Sequence, residues 1–145
     1  TGDPGASMMI AAAFSCLFLG DSIDVGAAAA VRARYGVTCD VAAREGVSAA
    51  TVASWPPIAK AYDTAIVSLG SNIPDDPRLA ERIAGIRAVL RARRVIWLLP
   101  YHRGAAAVVT RIAIRFRDDR LDLAAIATGD GVHPDYRALA DALVD

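Results

Sequence analysis

Short apolar runs alternate along the chain with stretches of helical periodicity. The apolar runs are bounded by glycine, proline or polar residues and predict strands at 15–19, 37–42, 64–69 and 95–99, with a weak fifth strand at 121–125. This alternation is typical of repeated βα units, in which helices cover both faces of a parallel sheet. No internal repeat or low-complexity linker interrupts it.

The segments between the strands predict the helices of such a fold. Helical patterns cover 25–34, 48–54, 76–91, 105–116 and 134–144. In the third of these, Asp76 and Pro77 predict an N-cap and first turn, and Leu79, Ile83 and Ile86 share one face. We therefore expect an α/β fold of three layers, α/β/α, with a flavodoxin-like parallel sheet of about five strands in the order 2-1-3-4-5.

Length and composition fit one folded domain. The chain has 145 residues, of which 54% are hydrophobic and 22% charged, so a sizeable core can form. Residues 1–7 are polar and precede Met8 and Met9, which is typical of a cloning remnant, and we expect the domain to occupy 8–145. The apolar stretch 8–19 is shorter than the ~20 residues of a membrane-spanning helix. A native start at Met8 or Met9 would favour a cytoplasmic location.

Charge and cysteine content exclude several classes of protein. Sixteen Lys and Arg balance sixteen Asp and Glu, so the chain lacks the basic field of a nucleic-acid-binding protein. Cys16 and Cys39 show neither a zinc-ligand spacing nor a disulfide framework, and we expect two buried free thiols. The sequence leaves the oligomeric state open.

Candidate chemistry lies at the carboxyl ends of the strands, the edge that helices leave open in a parallel sheet. Gly20-Asp21-Ser22 follows the first strand, Gly46 the second and Gly70-Ser71-Asn72 the third, and Asp130-Gly131-Val132-His133 precedes the last helix. A serine hydroxyl needs a neighbouring base to attack a carbonyl, and an imidazole suits that role at neutral pH. An aspartate three residues before the histidine can hold the imidazole in the required tautomer.

This order of residues resembles the SGNH hydrolases, also called the GDSL esterase and lipase family, over most of 8–144. The resemblance implies that Ser22 is the nucleophile and that Asp130 and His133 complete a catalytic triad. It also implies an oxyanion hole formed by the N–H groups of Ser22 and Gly46 and by the Asn72 amide. The family often has aspartate after that asparagine, whereas this chain has Ile73 and Pro74. Asp21 is expected to be structural.

The resemblance implies a serine ester hydrolase that needs no cofactor or metal and acts on short-chain acyl esters in an open cleft. Alternatives are a carbohydrate O-acetyl esterase, a thioesterase or lysophospholipase, and a catalytically inert member that binds a small ligand.

Several other residues near these loops have two interpretations. Ile23, Ile73, Tyr101 and Val132 could bind substrate or belong to the core. His102 could line the site, although a solvated loop position is favoured. A metal site built from Asp21, Asp130, His133 and His102 is disfavoured, because no two of them have ligand spacing on one helix.

Overall fold

A computed structural model describes residues 14–145. The predicted cloning remnant at 1–7 and the proposed starts at Met8 and Met9 lie outside the described residues. The strands are β1 (Cys16–Gly20), β2 (Asp40–Ala43), β3 (Tyr62–Ser68), β4 (Ala92–Leu99) and β5 (Asp119–Asp122). The helices are α1 (Ser22–Tyr35), α2 (Ala49–Ala53), α3 (Leu79–Val89), α4 (Arg103–Phe116) and α5 (Tyr136–Val144), and a 3-10 turn spans Leu123–Ala125.

The five strands form one parallel sheet in the order β2-β1-β3-β4-β5, which confirms the predicted fold class and strand order. The register places Gly20 opposite Ala43 of β2 and Ser68 of β3. The carboxyl ends of three neighbouring strands therefore stop at the same level, and the loops that follow them lie side by side.

Apolar side chains fill a core on each face of this sheet. On one face, α2, α3 and α4 pack over Leu17, Val67 and Trp97 of the strands. On the other face, α1 and α5 pack over Phe18 and Ile66. The central strands β1, β3 and β4 are largely buried on both sides, which explains why their sequences read as apolar runs, whereas the edge strands β2 and β5 are exposed or half-buried. Among residues 14–145, no helix is both long and apolar enough to span a bilayer.

Local hydrogen bonds explain three of the element boundaries that differ from the predictions. Helix α1 starts at Ser22, since the Asp21 carboxylate caps it by accepting from the Ile23 N–H. Helix α3 starts only at Leu79, because Asp76 closes a turn from Ile73 and its carboxylate accepts from the Arg78 N–H. The fifth strand ends at Asp122, where that carboxylate caps the 3-10 turn.

The prediction of two free thiols is wrong, because Cys16 and Cys39 form a disulfide. Cys16 begins β1, and Cys39 lies just before the neighbouring strand β2, so the sheet itself brings the two side chains together. The bond closes the loop that contains all of α1. Disulfides persist mainly in oxidising compartments, which argues against the cytoplasmic location that the sequence favoured.

Replacing Cys39 by alanine is expected to lower the free energy of unfolding by about 3 kcal/mol, because the disulfide restricts a loop of this length in the unfolded chain. Denaturant titration of wild type and Cys39→Ala would measure the difference. Thr38→Ala is the matched control, because Thr38 is an exposed neighbour outside the disulfide. Equal stability of Cys39→Ala and wild type under oxidising conditions would contradict the assignment.

Candidate active site

Ser22 occupies the first turn of α1 immediately after the end of β1. The preceding Gly20 has a φ of 145°, and a Cβ there would lie 1.9 Å from the Ser68 carbonyl oxygen, so only glycine fits. The Asp21 N–H donates to that same oxygen at 3.1 Å, and the Ser68 hydroxyl donates to the Asp21 carboxylate at 2.9 Å. These contacts fix the sharp strand-to-helix turn that presents Ser22.

The loop before α5 brings a histidine to Ser22 across 111 residues of sequence. The Ser22 Oγ and His133 Nε2 are 2.9 Å apart, and the His133 Nδ1 is 2.7 Å from Asp130 Oδ2. This order of groups suits proton transfer from the serine hydroxyl to the imidazole, with the carboxylate orienting the ring.

The Asp130 carboxylate is also bound to the backbone of its own loop. Its Oδ1 accepts from the N–H groups of Val132 and His133 at 2.8 and 2.7 Å. The hydrogen bond from the His133 side chain, followed by these backbone bonds, holds the pKa of Asp130 well below its usual range. Asp130 is therefore an anion throughout the neutral pH range, as an orienting group for an imidazolium should be.

Sequence reasoning missed Thr128, which braces the same loop. Its hydroxyl donates to the His133 carbonyl at 2.7 Å and accepts from the Gly131 N–H at 3.0 Å. The one sequence signal for this role is a threonine two residues before Asp130, because threonine hydroxyls often form hydrogen bonds with the backbone of nearby residues.

The loops after β2 and β3 are tied to one another beside Ser22. The Asn72 amide nitrogen donates to the Val47 carbonyl at 2.8 Å, and the Arg44 N–H donates to the Gly20 carbonyl at 3.1 Å. Gly46 lies between these two anchors with a φ of 76°, a conformation that glycine adopts without strain. The structure thus brings the β1, β2 and β3 loops together, with one amide hydrogen of Asn72 left for another acceptor.

The four residues considered as substrate contacts occupy different environments. Ile23 is fully buried in the core beneath α1, which contradicts a role as a pocket wall. Tyr101 is partly buried, and its hydroxyl donates to the Ile126 carbonyl at 2.9 Å. Ile73 and Val132 are exposed, so these two remain available to a substrate.

His102 is an exposed loop residue, as the favoured interpretation has it, and it also caps a helix. Its Nδ1 accepts from the Ala105 N–H at 3.0 Å at the start of α4. Its Nε2 lies 3.6 Å from Asp75 Oδ1. Among the described residues, no group of three or more His, Cys, Asp or Glu side chains could hold a metal ion.

Tyr136 connects α5 to the start of α1 and was also missed. A Cβ on Gly26 would lie 2.3 Å from the Tyr136 ring, so the absence of a side chain at position 26 creates the space for the ring. The Tyr136 hydroxyl lies 3.5 Å from the Ser22 carbonyl oxygen, and burial chiefly raises its pKa to about 12. The phenol therefore stays neutral and packs the loop that carries His133 against the helix that carries Ser22.

Two buried carboxyl groups lie close to Ser22 in the sequence. Asp21 and Asp24 are both fully buried, and within residues 14–145 neither Asp24 oxygen nor Asp21 Oδ2 has a hydrogen-bond partner. Burial raises the pKa of Asp21 to about 6. Burial and then the charge of Asp21 raise the pKa of Asp24 well above its usual range, which nearby backbone groups offset only in part. The buried site therefore favours a protonated Asp24.

A cavity of about 550 Å³ opens between α2 and α3, away from these groups. Trp55, Pro57 and Ile58 line one side of it, and Ile86 and Val89 line the other. None of the predicted site residues contributes to its lining.

No family model and no curated protein matches the sequence. Solved structures do match it. A candidate SGNH hydrolase from Slackia heliotrinireducens aligns over 90% of this chain and 98% of its own, with a TM-score of 0.63 and 17% identity. The chain has the SGNH hydrolase fold.

Two further structures with this fold are similar over nearly the whole chain. A carbohydrate acetylesterase from Sinorhizobium meliloti aligns over 90% of this chain and 98% of its own, with a TM-score of 0.60 and 14% identity. The C-terminal catalytic domain of a peptidoglycan O-acetyltransferase from Streptococcus pneumoniae aligns over 91% of this chain and 89% of its own, with a TM-score of 0.56 and 18% identity. The SGNH fold of this chain is thus shared with proteins of both kinds.

The buried Asp24 carboxyl is expected to make the stability of this domain depend on pH. The pKa of Asp24 is higher in the folded than in the unfolded chain, where it is about 3.9. Above that pH the unfolded chain has lost the Asp24 proton, and folding must take it up again. The resulting loss of stability is at most about 1.4 kcal/mol per pH unit, until the folded pKa is reached. Asp24→Asn removes this dependence, so its melting temperature relative to wild type should rise between pH 5 and pH 8.

Thermal denaturation at several pH values would measure this shift. Glu45→Gln is the matched control, because Glu45 is an exposed carboxylate in the loop after β2 and should leave the pH dependence unchanged. A difference between Asp24→Asn and wild type that stays constant from pH 5 to pH 8 would contradict a raised pKa at Asp24.

Proposed function

We propose that the protein is a serine ester hydrolase acting on short-chain acyl esters, with Ser22 as nucleophile. The observation that carries the proposal is the 2.9 Å contact between Ser22 Oγ and His133 Nε2, with Asp130 on the other ring nitrogen. The fold supports it, because the SGNH fold is shared with esterases.

In the proposed reaction His133 accepts the proton of Ser22 as Oγ attacks the ester carbonyl carbon. The imidazolium, stabilised by the Asp130 anion, then donates that proton to the leaving alcohol oxygen as the ester bond breaks. Water attacks the resulting acyl-enzyme with His133 again as base, which releases the acid and restores Ser22. Atoms and protons balance without a metal or cofactor.

The oxyanion of the tetrahedral intermediate would be held by three donors, the N–H groups of Ser22 and Gly46 and the amide of Asn72. Donors of this kind contribute about 3 kcal/mol each when measured by deletion. The Asn72 bond to Val47 supports this role, because it fixes the amide in place and holds the Gly46 loop against it.

A short acyl ester suits the site because the catalytic groups lie close to solvent. The His133 and Asp130 side chains are 43% and 55% exposed. A long acyl chain would gain little apolar contact from such an open site, which argues against lysophospholipids and other long-chain esters.

An acetylated carbohydrate is a second candidate substrate. Two of the similar structures are named as a carbohydrate acetylesterase and a peptidoglycan O-acetyltransferase. An open site can admit one sugar of a polymer, and an acetyl-enzyme could pass its acyl group to water or to a sugar hydroxyl.

Ser22→Ala is expected to reduce kcat for p-nitrophenyl acetate and butyrate by roughly a thousandfold or more, because the nucleophilic oxygen is lost. Hydrolysis at pH 7 to 8 would be followed by nitrophenolate release, with folding checked by circular dichroism. Ser54→Ala removes an exposed hydroxyl at the end of α2 and should retain wild-type activity. Wild-type rates in Ser22→Ala would show that Ser22 is not the nucleophile.

His133→Ala is expected to slow hydrolysis more than Asp130→Asn does. Alanine removes the base itself, whereas asparagine removes only the orienting charge at a half-exposed position where water can substitute. His102→Asn, which keeps a side chain able to cap α4, is the matched control and should remain active. A larger loss in His102→Asn than in His133→Ala would assign the base to the other histidine.

Comparing p-nitrophenyl esters with an acetylated xylan or acetylated peptidoglycan fragment separates the candidate functions. Serine-dependent turnover of the aryl esters with little release of sugar-bound acetate supports the first candidate. The reverse result favours the carbohydrate substrate. Binding of an ester without turnover of any of them would favour the inert ligand-binding alternative.

A further inference from the structure

Ile73 combines backbone strain with solvent exposure directly beside Asn72. Its φ is 52°, in the left-handed region that β-branched residues strongly disfavour. The residue is 62% exposed, more than any other exposed large hydrophobic residue in the described chain. The side chain therefore gains little from burial that could offset the strain, and stability of the fold does not explain its presence.

The surrounding loop holds Ile73 in this conformation from both sides. The Asn72 amide is bound to Val47 on the preceding side. On the following side the Ile73 carbonyl accepts from the Asp76 N–H at 3.2 Å, across a turn that contains Pro74. The Asp76 carboxylate is then paired with Arg82 of α3 at 2.7 Å. Strained residues persist where such contacts over-determine them, and they cluster at functional sites.

The two sides of Ser22 are occupied by different loops. The loop that carries Ile73 leads into α3, which packs on the same sheet face as α2 and α4. The loop that carries His133 leads into α5, which packs with α1 on the opposite face. Ile73 and His133 are therefore expected on opposite sides of the nucleophile.

This arrangement predicts where the alcohol part and the acyl part of a bound ester lie. The leaving alcohol must lie on the His133 side, because His133 donates the proton to its oxygen. The acyl substituent then points to the other side, toward the loop that carries Ile73. An exposed isoleucine beside the proposed oxyanion donor Asn72 offers an apolar contact to the first carbons after the carbonyl.

We propose that Ile73 is a specificity-determining residue that contacts the acyl chain and favours propionyl and butyryl esters over acetyl esters. This inference rests on the proposed function.

The test compares kcat/KM for p-nitrophenyl butyrate and p-nitrophenyl acetate, which share one leaving group. A fully buried methylene is worth about fourfold in kcat/KM. The butyrate-to-acetate ratio is therefore expected to fall by about fourfold to tenfold in Ile73→Ala and Ile73→Gly. Ile114→Ala is the matched control, because Ile114 is 60% exposed near the end of α4, at the far end of the sheet, and should leave the ratio unchanged.

A ratio that is the same in wild type, Ile73→Ala and Ile73→Gly would overturn the inference. An equal loss for both esters would also overturn it, because that result indicates that Ile73 only orders the Asn72 loop. The melting temperature of Ile73→Gly should match or exceed that of wild type, since glycine adopts a φ of 52° without strain, and a clear fall would assign Ile73 a purely structural role. Failure of the proposed function itself would appear separately, as hydrolysis that persists in Ser22→Ala.

Discussion

The position of Ser22 depends on how Asp21 joins β1, β3 and α1. The Asp21 N–H donates to the Ser68 carbonyl, and its carboxylate accepts from the Ser68 hydroxyl and the Ile23 N–H. One residue thus ends the first strand, ties it to its neighbour and caps the first helix. The hydrogen bonds between Asp21 and Ser68 require a glycine at position 20, because a Cβ there would collide with the Ser68 carbonyl. A second buried carboxyl, Asp24, follows in the first turn of α1, and burial raises its pKa well above the usual range.

The other groups reach Ser22 because the sheet is parallel and its strands end at one level. The β2 and β3 loops are linked by the Asn72 to Val47 bond, and the loop before α5 is braced by Thr128 and Tyr136. The loops that carry the candidate groups are therefore held by contacts to another loop, to a helix or within the loop itself. Such mutual support supplies the fixed geometry that acyl transfer requires.

Much of the fold followed from the sequence, because strands buried on both faces appear as apolar runs and the βα order limits the topology. The grouping of Ser22 with Asn72 could be anticipated for the same reason, since parallel strands gather their carboxyl ends at one edge, whereas Asp130 and His133 were assigned to it through the resemblance to the SGNH hydrolases. Their chemical roles remain a proposal. The disulfide was missed although the predicted strand order places β1 beside β2, because pairing of Cys16 with Cys39 also depends on the register of the two strands, in which Leu17 lies opposite Asp40. Burial of Ile23 decides between the two interpretations that the sequence left open for it, because its side chain belongs to the core.

The most direct test of the central claim is mass spectrometry of the protein after exposure to a serine-reactive alkyl fluorophosphonate. If Ser22 is activated by His133, wild type should gain one phosphonyl group, and peptide mapping should place it on Ser22. The Ser22→Ala and His133→Ala variants should stay unmodified over the same time. Modification at another serine, or equal labelling of wild type and His133→Ala, would contradict the account.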